Sequence, residues 1–350
     1  MKIKTMQVAI LVEQNRPLIV DEIELPDKLD FGQILVKIHY SGICGSQLGE
    51  IDGVKGHDPY LPHLLGHEGS GTVVEIGPGV KHVIPGDKIV LHWQKGLGIE
   101  SDPPSYNWKS KKLNAGWITT FNEYAIVSEN RCTKIPSDSD LDVAALFGCA
   151  VTTGFGVIEN NAKVQMGESV VVFGAGGIGL NIIQAASLVS GYPIIAVDQF
   201  SNRLEMASEM GADYVINSRK VDIENAIVDI ADPEGVNVFI DNTGNTEIIE
   251  LGYKLIEPQG RVILVGVPKQ GNNINIHSLP LHFGKKLIGS FGGNGNPNKE
   301  IPRYQKLFRN GRIRLREQIT NHYRLDKIND AIQDIRDGKI SGRCLITMDE

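Results

Sequence analysis

The stretch VVVFGAGGIG, residues Val170–Gly179, decides the fold of this chain. Its four leading apolar residues predict a short buried strand, and the segment Ile178–Ser190 predicts a helix. In a strand–turn–helix of this kind, the first glycine permits the tight turn, the second lets a pyrophosphate approach the backbone, and the third lets helix and strand pack closely. We therefore predict a dinucleotide-binding loop; the alternative is a glycine-rich loop that only turns the chain. The predicted cofactor-binding residues of the loop are Gly174, Gly176, Gly177, Ile178 and Gly179.

An acidic residue after the next predicted strand completes this pattern. Asp198 follows the apolar segment Ile194–Val197 and lies 19 residues beyond Gly179, close to the spacing expected for a carboxylate that binds the adenosine ribose. A carboxylate there would repel a 2′-phosphate, so the sequence favours NAD over NADP. Arg203 either flanks the adenosine or is an ordinary solvated helix residue. The remaining predicted cofactor contacts, at the end of a later apolar segment, are Val265 and Val267.

The pattern of elements outward from this loop indicates how the chain is divided. From Val151 to about Phe291, apolar strands alternate with amphipathic helical segments, which predicts a doubly wound parallel sheet with helices on both faces. Residues 1–150 contain short β-rich segments between glycine and proline turns, which predicts a β-barrel-type domain. We predict a nucleotide-binding domain over residues 151–290 and a second domain formed by 1–150 and 291–350. The tail is predicted to carry a helix over Asp326–Asp337 and a strand over Ser341–Thr347.

Composition limits the partners and the compartment. The 350 residues carry 35 basic and 42 acidic side chains without a basic run, which argues against nucleic acid or an anionic membrane surface as partner. The four cysteines are too scattered for a disulfide framework, and the first ten residues show no signal-peptide pattern, so we expect a cytoplasmic protein. Glycines and a proline interrupt the uncharged stretch Ser169–Val197, so we predict strand, helix and strand there instead of a membrane span.

Two cysteines and one histidine form a candidate metal site. Cys44 lies in SGICGS, His67 lies in GHEGSG, and Cys149 lies in FGCA, where the β-rich region meets the nucleotide-binding region. Two thiolates and one imidazole are a three-ligand set for zinc that leaves a fourth position open, as a catalytic site requires. Each residue alone has a plainer interpretation, because cysteines often pack in cores and a lone histidine beside a glutamate is often a surface or capping pair.

A set of histidines offers a competing metal site. Its members are His57, His63, His67 and His92. His63 and His67 are four residues apart, as on one face of a helix, but Pro62 and Gly66 disfavour a helix there.

The segments SGICGS, GHEGSG, GCAVTTGFG and GAGGIG, in this order, resemble the motifs of zinc-dependent medium-chain alcohol dehydrogenases. The resemblance covers nearly the whole chain. It implies a GroES-like catalytic domain, which the last stretch of chain rejoins, and a Rossmann domain for the nicotinamide cofactor. It also implies Cys44, His67 and Cys149 as ligands of a catalytic zinc, a Cys₂His set known from this family. Further implied roles are a transient or supporting zinc contact for Glu68, the proton-accepting hydroxyl for Ser46, a position near the nicotinamide for Thr153, and a substrate-pocket wall for Trp93.

One departure from the family pattern concerns a second zinc. Many relatives carry a four-cysteine structural zinc lobe after the strand that ends near Trp93, whereas Gln94–Thr120 contains no cysteine. We therefore predict one catalytic zinc and no structural zinc, with the lobe held by packing of Trp108, Trp117 and prolines.

Three further departures lie close to the predicted zinc ligands. Gln47 stands where relatives usually have an aspartate that supports a zinc ligand, so an amide replaces that supporting carboxylate here. Gly45 and Gly49 replace a cationic residue and a relay histidine, which moves the resemblance toward the polyol and secondary-alcohol branches. We expect an NAD-dependent zinc dehydrogenase for a polyol, cyclitol or sugar-derived secondary hydroxyl, in which zinc lowers the alcohol pKa and hydride passes to the nicotinamide.

Two other functions compete with this one. A zinc-free quinone or enone reductase of the same fold would use NADPH and would lack the zinc ligands, and a catalytically silent binding protein is the second alternative. The expected partner is a small-molecule alcohol. Family analogy and the apolar segment Lys286–Phe291, interpreted as an edge strand, predict a homodimer or homotetramer.

Overall fold

The computed structural model describes residues 3–348, so the first two and last two residues of the predicted domains lie outside the described part of the chain. The chain divides into two units, one formed by residues up to Cys149 and from Asn296 onward, and one formed by Ala150–Gly295. Within the described residues, no helix has the length and apolar character needed to cross a bilayer.

The described residues form the following strands and helices. The strands are β1 (Thr5–Leu11), β2 (Ile19–Glu24), β3 (Gln33–Gly42), β4 (His63–Leu64), β5 (Glu68–Ile76), β6 (Lys88–His92), β7 (Ser105–Trp108), β8 (Lys111–Asn114), β9 (Tyr124–Ser128), β10 (Cys132–Lys134), β11 (Val170–Phe173), β12 (Ile194–Asp198), β13 (Tyr214–Asn217), β14 (Val236–Asp241), β15 (Ile256–Leu264), β16 (Lys286–Gly289), β17 (Ile319–Arg324) and β18 (Arg343–Thr347). The helices are α1 (Gly45–Ile51), α2 (Leu141–Leu146), α3 (Ala150–Gly156), α4 (Gly177–Leu188), α5 (Ser201–Glu209), α6 (Ile223–Val228), α7 (Thr246–Leu255), α8 (Pro297–Arg309) and α9 (Ile328–Arg336). A π-helical turn, Val157–Ala162, continues α3.

The first unit is built from two sheets. One has the strand order β2-β1-β4-β8-β7, and the other has the order β10-β6-β5-β3-β18-β17, with β9 also paired to β3. Ile34, Val36 and Ile38 alternate along β3 and are all buried, because every second residue of a strand faces the same side. They pack with Ile89 and Leu91 of β6 in one apolar cluster. The C-terminal strands β17 and β18 thus extend the sheet that also holds β5 and β6.

The second unit contains a six-stranded sheet in the order β13-β12-β11-β14-β15-β16, and every pair in it is parallel. Val170, Val171 and Val172 in the central strand β11 are fully buried, as expected for a strand covered by helices on both faces. The predicted doubly wound parallel sheet is confirmed. Since strand order reverses between β11 and β14, their carboxyl ends form the crevice in which such sheets bind ligands.

Sequence reasoning missed several elements. Helix α1 carries two glycines and spans only two turns, so its apolar periodicity is too short to detect. Helix α8 follows a glycine- and asparagine-rich turn and contains Pro302, and both features mask a helical pattern. Strand β17, between α8 and α9, was also missed.

The cysteine-free lobe after β6 is held by a hairpin and by buried polar contacts. Trp108 at the end of β7 is buried and donates its indole N–H to Asp21 at 2.9 Å, as part of the cluster that includes Tyr106 and Leu113. The prediction that Trp117 packs inside this lobe is wrong, because its side chain is 45% exposed.

The side chain of Glu129 forms hydrogen bonds with three backbone N–H groups at the base of the lobe. Its carboxylate accepts the N–H groups of Lys81 at 2.6 Å, His82 at 2.7 Å and Ile99 at 2.9 Å. Burial alone would raise the pKa of Glu129, but these backbone donors outweigh it and lower the pKa below its usual range. A carboxylate therefore anchors this lobe through acceptor oxygens.

We expect Glu129→Gln to lower the free energy of unfolding by about 2–3 kcal/mol, because the amide nitrogen must then face a backbone donor. Urea unfolding at pH 7 measures the loss. The matched control is Glu24→Gln at an exposed strand position, which removes the same charge. Equal unfolding midpoints for the two variants would show that Glu129 does not anchor the lobe.

Candidate functional site

Cys44, His67 and Cys149 converge in the first unit, as the sequence predicts. One ligand atom from each lies within 4.8 Å of the other two, and both cysteines are buried. Cys44 precedes α1, His67 precedes β5, and Cys149 lies between α2 and α3. Across residues 3–348, no other group of three histidine, cysteine, aspartate or glutamate side chains meets in this way.

A close backbone approach brings Cys149 to the other two ligands. A Cβ atom added to Gly148 would overlap the carbonyl oxygen of Leu91 and would lie 2.9 Å from Cα of Glu68. Only glycine therefore lets the chain pass directly against β5 and β6 before it reaches Cys149.

The electrostatics of the cluster favour a thiolate. The hydrogen bond from Cys149 is the main cause of a Cys44 pKa well below its usual range; burial opposes it, and His67 and Arg343 reinforce it. A thiolate is the form of cysteine that binds metals.

The residues present fit zinc. Nε2 of His67 is buried and has no hydrogen-bond partner among the described residues, as expected for an atom reserved for a metal. Tetrahedral zinc with bonds of about 2.0–2.3 Å brings its ligand atoms to within roughly 4 Å of one another. The separations of up to 4.8 Å need only a small contraction to match.

Gln47 connects two of the ligands. Its Oε1 accepts the N–H of Cys44 at 2.9 Å, and its Nε2 is in hydrogen-bond contact with Nδ1 of His67. Because the Cys44 N–H is a donor, the amide oxygen must face Cys44 and the amide NH₂ must face His67. A neutral histidine that binds metal through Nε2 carries its proton on Nδ1. The Nδ1–H donor of His67 then faces the NH₂ donor of Gln47. Gln47 therefore supports His67 less well than a carboxylate would.

We expect Gln47→Glu to raise zinc affinity about tenfold, because the isosteric carboxylate accepts both the Cys44 N–H and the His67 Nδ1 proton. Competition with a chromogenic chelator measures this without relying on turnover. Gln270→Glu, at an exposed position in the other unit, is the charge-matched control. An affinity for Gln47→Glu no higher than that of the control would contradict the argument.

Glu68 and Ser46 lie next to the predicted ligands. Glu68 is fully buried and forms an ion pair with Arg343 of β18, so its charge is neutralised from the C-terminal segment. Ser46 Oγ lies 3.5 Å from Nδ1 of His67, on the side of the ring away from the partnerless Nε2.

The competing histidine cluster does not form. His63 bonds Asp58 at 2.8 Å, whereas His92 is buried between the carbonyl of Gln94 and the hydroxyl of Thr133. Burial lowers the pKa of His92 to about 4, so this ring is neutral near pH 7. His57 lies exposed on the surface. The prediction of a zinc site on the cysteines is thus favoured over the histidine alternative.

Trp93, predicted as a substrate-pocket wall, directly follows β6. In the antiparallel pair of β5 and β6, Glu68 is opposite His92. Trp93 is the residue after this pairing, and its side chain packs against the apolar cluster that contains Ile89 and Leu91. Trp93 is partly exposed, which leaves it available as a pocket wall.

The glycine loop of the second unit has the geometry that the motif predicts. Gly174 has φ +96°, and a Cβ added to Gly179 would overlap the Gly174 carbonyl oxygen. A Cβ added to Gly176 would meet nothing within 4 Å, so open space remains where a pyrophosphate would approach. Gly177 and Ile178 form the first turn of α4, whose free N–H groups suit phosphate oxygens.

Asp198 is linked to this loop. Its carboxylate accepts the N–H of Ala175 at 2.8 Å and that of Phe200 at 2.9 Å. Arg203 lies 4.0 Å from Asp198, and its guanidinium stacks 4.8 Å from the Phe200 ring centre. The interpretation of Arg203 as an ordinary solvated residue is therefore wrong, because the side chain is held at the end of β12.

Sequence reasoning missed the turn after β14. The buried carboxylate of Asp241 accepts the hydroxyl of Thr243 at 2.6 Å and the N–H of Gly244 at 2.8 Å, while burial raises its pKa. Asn242 reaches the carbonyl of Gly174, and a Cβ on Gly266 would overlap the N–H of Gly244. The segment that carries Val265 and Val267 therefore runs beside the glycine loop. The polar run DNTG at the end of an apolar strand was the sequence signal for this turn.

Thr153, which is also predicted to lie near the cofactor, is buried in α3.

Two known protein families match parts of this chain. The zinc-binding dehydrogenase family matches residues 177–310, and the alcohol dehydrogenase GroES-like domain matches residues 30–137. The predicted fold, a GroES-like domain with a Rossmann-type parallel-sheet domain, is confirmed.

Individual relatives match over almost the full chain. S-(hydroxymethyl)glutathione dehydrogenase of Synechocystis sp. is 32% identical over 95% of this chain and 96% of its own length. Alcohol dehydrogenase 1 of Trifolium repens is 28% identical over 98% of this chain and 97% of its own. The crystal structure of benzyl alcohol dehydrogenase from Acinetobacter calcoaceticus is 29% identical, with a TM-score of 0.89 over 99% of this chain and 100% of that one.

Proposed function

Since the chain belongs to the zinc-dependent medium-chain alcohol dehydrogenase family, we propose that it oxidises an alcohol with NAD. The observation that carries this proposal is the convergence of Cys44, Cys149 and the partnerless Nε2 of His67. A zinc-free reductase would have no use for this cluster, so that alternative is disfavoured.

Each residue of the site has its own proposed role in the reaction. Cys44, His67 and Cys149 would hold zinc, which when bound would supply the Lewis-acid chemistry that lowers the pKa of an alcohol hydroxyl. We propose Ser46 Oγ as the first group to exchange a proton with the alcohol hydroxyl. Nδ1 of His67, 3.5 Å away, already carries a proton when Nε2 binds metal, so it does not take up that proton. Glu68, paired with Arg343, adds little net charge beside the ligands.

The cofactor is proposed to be NAD, which accepts hydride at its nicotinamide. The open space at Gly176 and the N-terminal amides of α4 suit its pyrophosphate, and Asp198 suits the ribose hydroxyls. A 2′-phosphate would meet the Asp198 carboxylate, so we propose NAD over NADP. Val265, Val267 and Thr153 are proposed as nicotinamide neighbours.

The substrate proposed from the sequence is a secondary alcohol such as a polyol, cyclitol or sugar-derived hydroxyl. The test is NADH formation across polyols, cyclitols, amino and nucleotide sugars, and aromatic and aliphatic alcohols, with NAD and NADP compared.

Metal analysis accompanies that test. One zinc per chain is expected, since Gln94–Thr120 has no cysteine and Cys44, His67 and Cys149 account for the single cluster found in residues 3–348. A zinc-free preparation that reduces quinones with NADPH would support the reductase alternative instead. No turnover with any panel member would favour the binding-protein alternative.

We propose a homodimer or homotetramer that forms through β16. Within the described part of the chain this strand pairs only with β15 and so ends the sheet. Exposed apolar side chains flank it, namely Leu279, Leu281, Phe283 and Phe291. An unpaired apolar edge favours association with a second copy.

We expect the wild-type chain to show at least twice its 38.3 kDa mass in light scattering, and Phe283→Asp to shift it toward the monomer. Phe283 is 68% exposed, so the substitution changes the surface and spares the core. Val228→Asp, at an exposed apolar position on α6, is the control. A monomeric wild-type mass would refute this assembly.

A further inference from the structure

The turn after β14 contains a buried carboxylate that has no role in the proposed reaction so far. Asp241, the last residue of β14, has no exposed surface. Its Oδ1 accepts the backbone N–H of Thr243 at 3.0 Å and the Thr243 hydroxyl at 2.6 Å, and its Oδ2 accepts the N–H of Gly244 at 2.8 Å. Three neutral donors of one short turn therefore converge on one buried side chain.

This arrangement requires a carboxylate. An ionised aspartate only accepts hydrogen bonds, so its two oxygens satisfy all three donors at once. An asparagine of the same shape would turn its NH₂ group toward one of them, and a buried donor without an acceptor costs free energy. Asp241 thus fixes the backbone of residues 241–244, which we call the 241–244 turn.

One side of the 241–244 turn packs on the glycine loop. Asn242 donates its backbone N–H to the carbonyl of Phe173 at 2.9 Å and its side-chain NH₂ to the carbonyl of Gly174 at 3.3 Å. A Cβ added to Gly174 would lie 3.2 Å from Cγ2 of Thr243. A Cβ added to Gly179 would lie 3.3 Å from Nδ2 of Asn242. The turn therefore lies against the first and third glycines of the loop.

The other side of the 241–244 turn packs on the segment that follows β15. Val265 and Gly266 donate their N–H groups to the backbone carbonyl of Asp241 at 2.8 and 3.1 Å. A Cβ added to Gly244 would lie 2.6 Å from the carbonyl oxygen of Val267, and a Cβ added to Gly266 would overlap the N–H of Gly244. Since no side chain fits between the turn and this segment, a shift of the turn must also move the segment.

These contacts place the 241–244 turn between two cofactor-binding segments. Strands β11 and β14 are parallel neighbours, and such sheets bind ligands at the carboxyl ends of their strands. The glycine loop after β11 is proposed to hold the pyrophosphate, and the segment with Val265 and Val267 is proposed to neighbour the nicotinamide. The shape of the turn therefore determines how far apart these two segments lie.

We propose that Asp241 is a positioning residue that sets the spacing between the pyrophosphate loop and the nicotinamide segment. Through this spacing it controls both the affinity for the cofactor and the placement of the nicotinamide for hydride transfer. This inference rests on the proposed NAD-dependent function and deepens it. Asp241 acts without touching the cofactor, because Asn242 carries its effect to the glycine loop and Gly244 carries it to Val267.

The test compares NADH with ADP-ribose, which lacks the nicotinamide, on the zinc-loaded full chain. Isothermal titration calorimetry measures both affinities without turnover. For Asp241→Asn we expect both dissociation constants to rise about tenfold, because one donor of the turn loses its acceptor. We also expect kcat at saturating NAD to fall, since the nicotinamide segment shifts with the turn. The zinc content should stay unchanged, because the metal ligands belong to the other unit.

Two other positions of the turn separate its contacts. Asn242→Ala removes the side-chain bond to Gly174, so both dissociation constants should rise about threefold while kcat at saturating NAD stays the same. Thr243→Val keeps the shape of an exposed side chain but removes the hydroxyl that Asp241 accepts, and it should weaken both ligands by a similar factor. Thr243→Ser keeps this hydroxyl and should restore the wild-type affinities.

The matched control is Asp213→Asn, at the opposite end of the same sheet. There the Asp213 carboxylate accepts the N–H of Ile194, the first residue of β12, at 2.8 Å. This variant also loses a carboxylate acceptor, but it should bind NADH and ADP-ribose as the wild type does.

The outcomes separate this inference from the function on which it rests. Wild-type affinities in both Asp241→Asn and Thr243→Val, or equal losses in Asp213→Asn, would overturn the positioning role. If Asp241→Asn does not fold, the Thr243→Val and Thr243→Ser pair decides. An unchanged kcat in a folded Asp241→Asn variant would overturn the link to the nicotinamide segment. A wild-type chain that binds neither ligand would instead overturn the proposed function.

Discussion

Cys44→Ser is expected to release the zinc and to lower alcohol oxidation by roughly 1,000-fold or more, since Lewis-acid activation supplies several kcal/mol of the rate enhancement. The hydrogen bond from Cys149 holds the pKa of Cys44 well below its usual range, so this position is built for an anion. A serine hydroxyl stays neutral at pH 7 and is a poor zinc ligand. Metal content by mass spectrometry and NADH formation measure the two effects separately.

The control for this variant is Cys132→Ser. Cys132 is also buried, but burial raises its pKa and its thiol donates to the carbonyl of Glu129, which a serine hydroxyl also does. We expect this variant to keep its zinc and its activity. A Cys44→Ser protein with full activity would show the zinc mechanism to be wrong, and equal zinc loss in both variants would point to general unfolding.

Gly179→Ala is expected to weaken NAD binding by about 100-fold or more, because its Cβ would overlap the Gly174 carbonyl oxygen and force the phosphate loop apart. Quenching of protein fluorescence or the shift in NADH emission on titration measures the affinity. The zinc content should not change, since Cys44, His67 and Cys149 belong to the other unit.

Substitutions at two other glycines provide a control and a second test of this prediction. A Cβ on Gly289 meets nothing within 4 Å, so Gly289→Ala should bind NADH normally. A Cβ on Gly176 also meets no protein atom, so Gly176→Ala should fold and yet lose affinity by occupying the space of the pyrophosphate. Normal NADH binding by both Gly176→Ala and Gly179→Ala would rule out this loop as the cofactor site.

Much of the fold could be predicted from local patterns. The strand Val170–Phe173, the glycine turn and α4 depend on neighbouring residues, because apolar periodicity and glycine conformations act over a few positions. The missed helices α1 and α8 are those in which glycine or proline hides the periodicity. The failed expectation for Trp117 concerned packing, which depends on residues far along the chain.

The candidate site also combines features that local sequence patterns predict with features that depend on the whole fold. The sequence by itself determined which side chains could bind zinc and where a dinucleotide loop lies, because residue types and short spacings carry that chemistry. Only the tertiary structure decided that Cys44, His67 and Cys149 meet, that Gln47 turns its amide NH₂ toward His67, and that Arg343 neutralises Glu68. These contacts join residues far apart in the chain, and their geometry is set by sheet register and burial, which act only once the whole unit has folded.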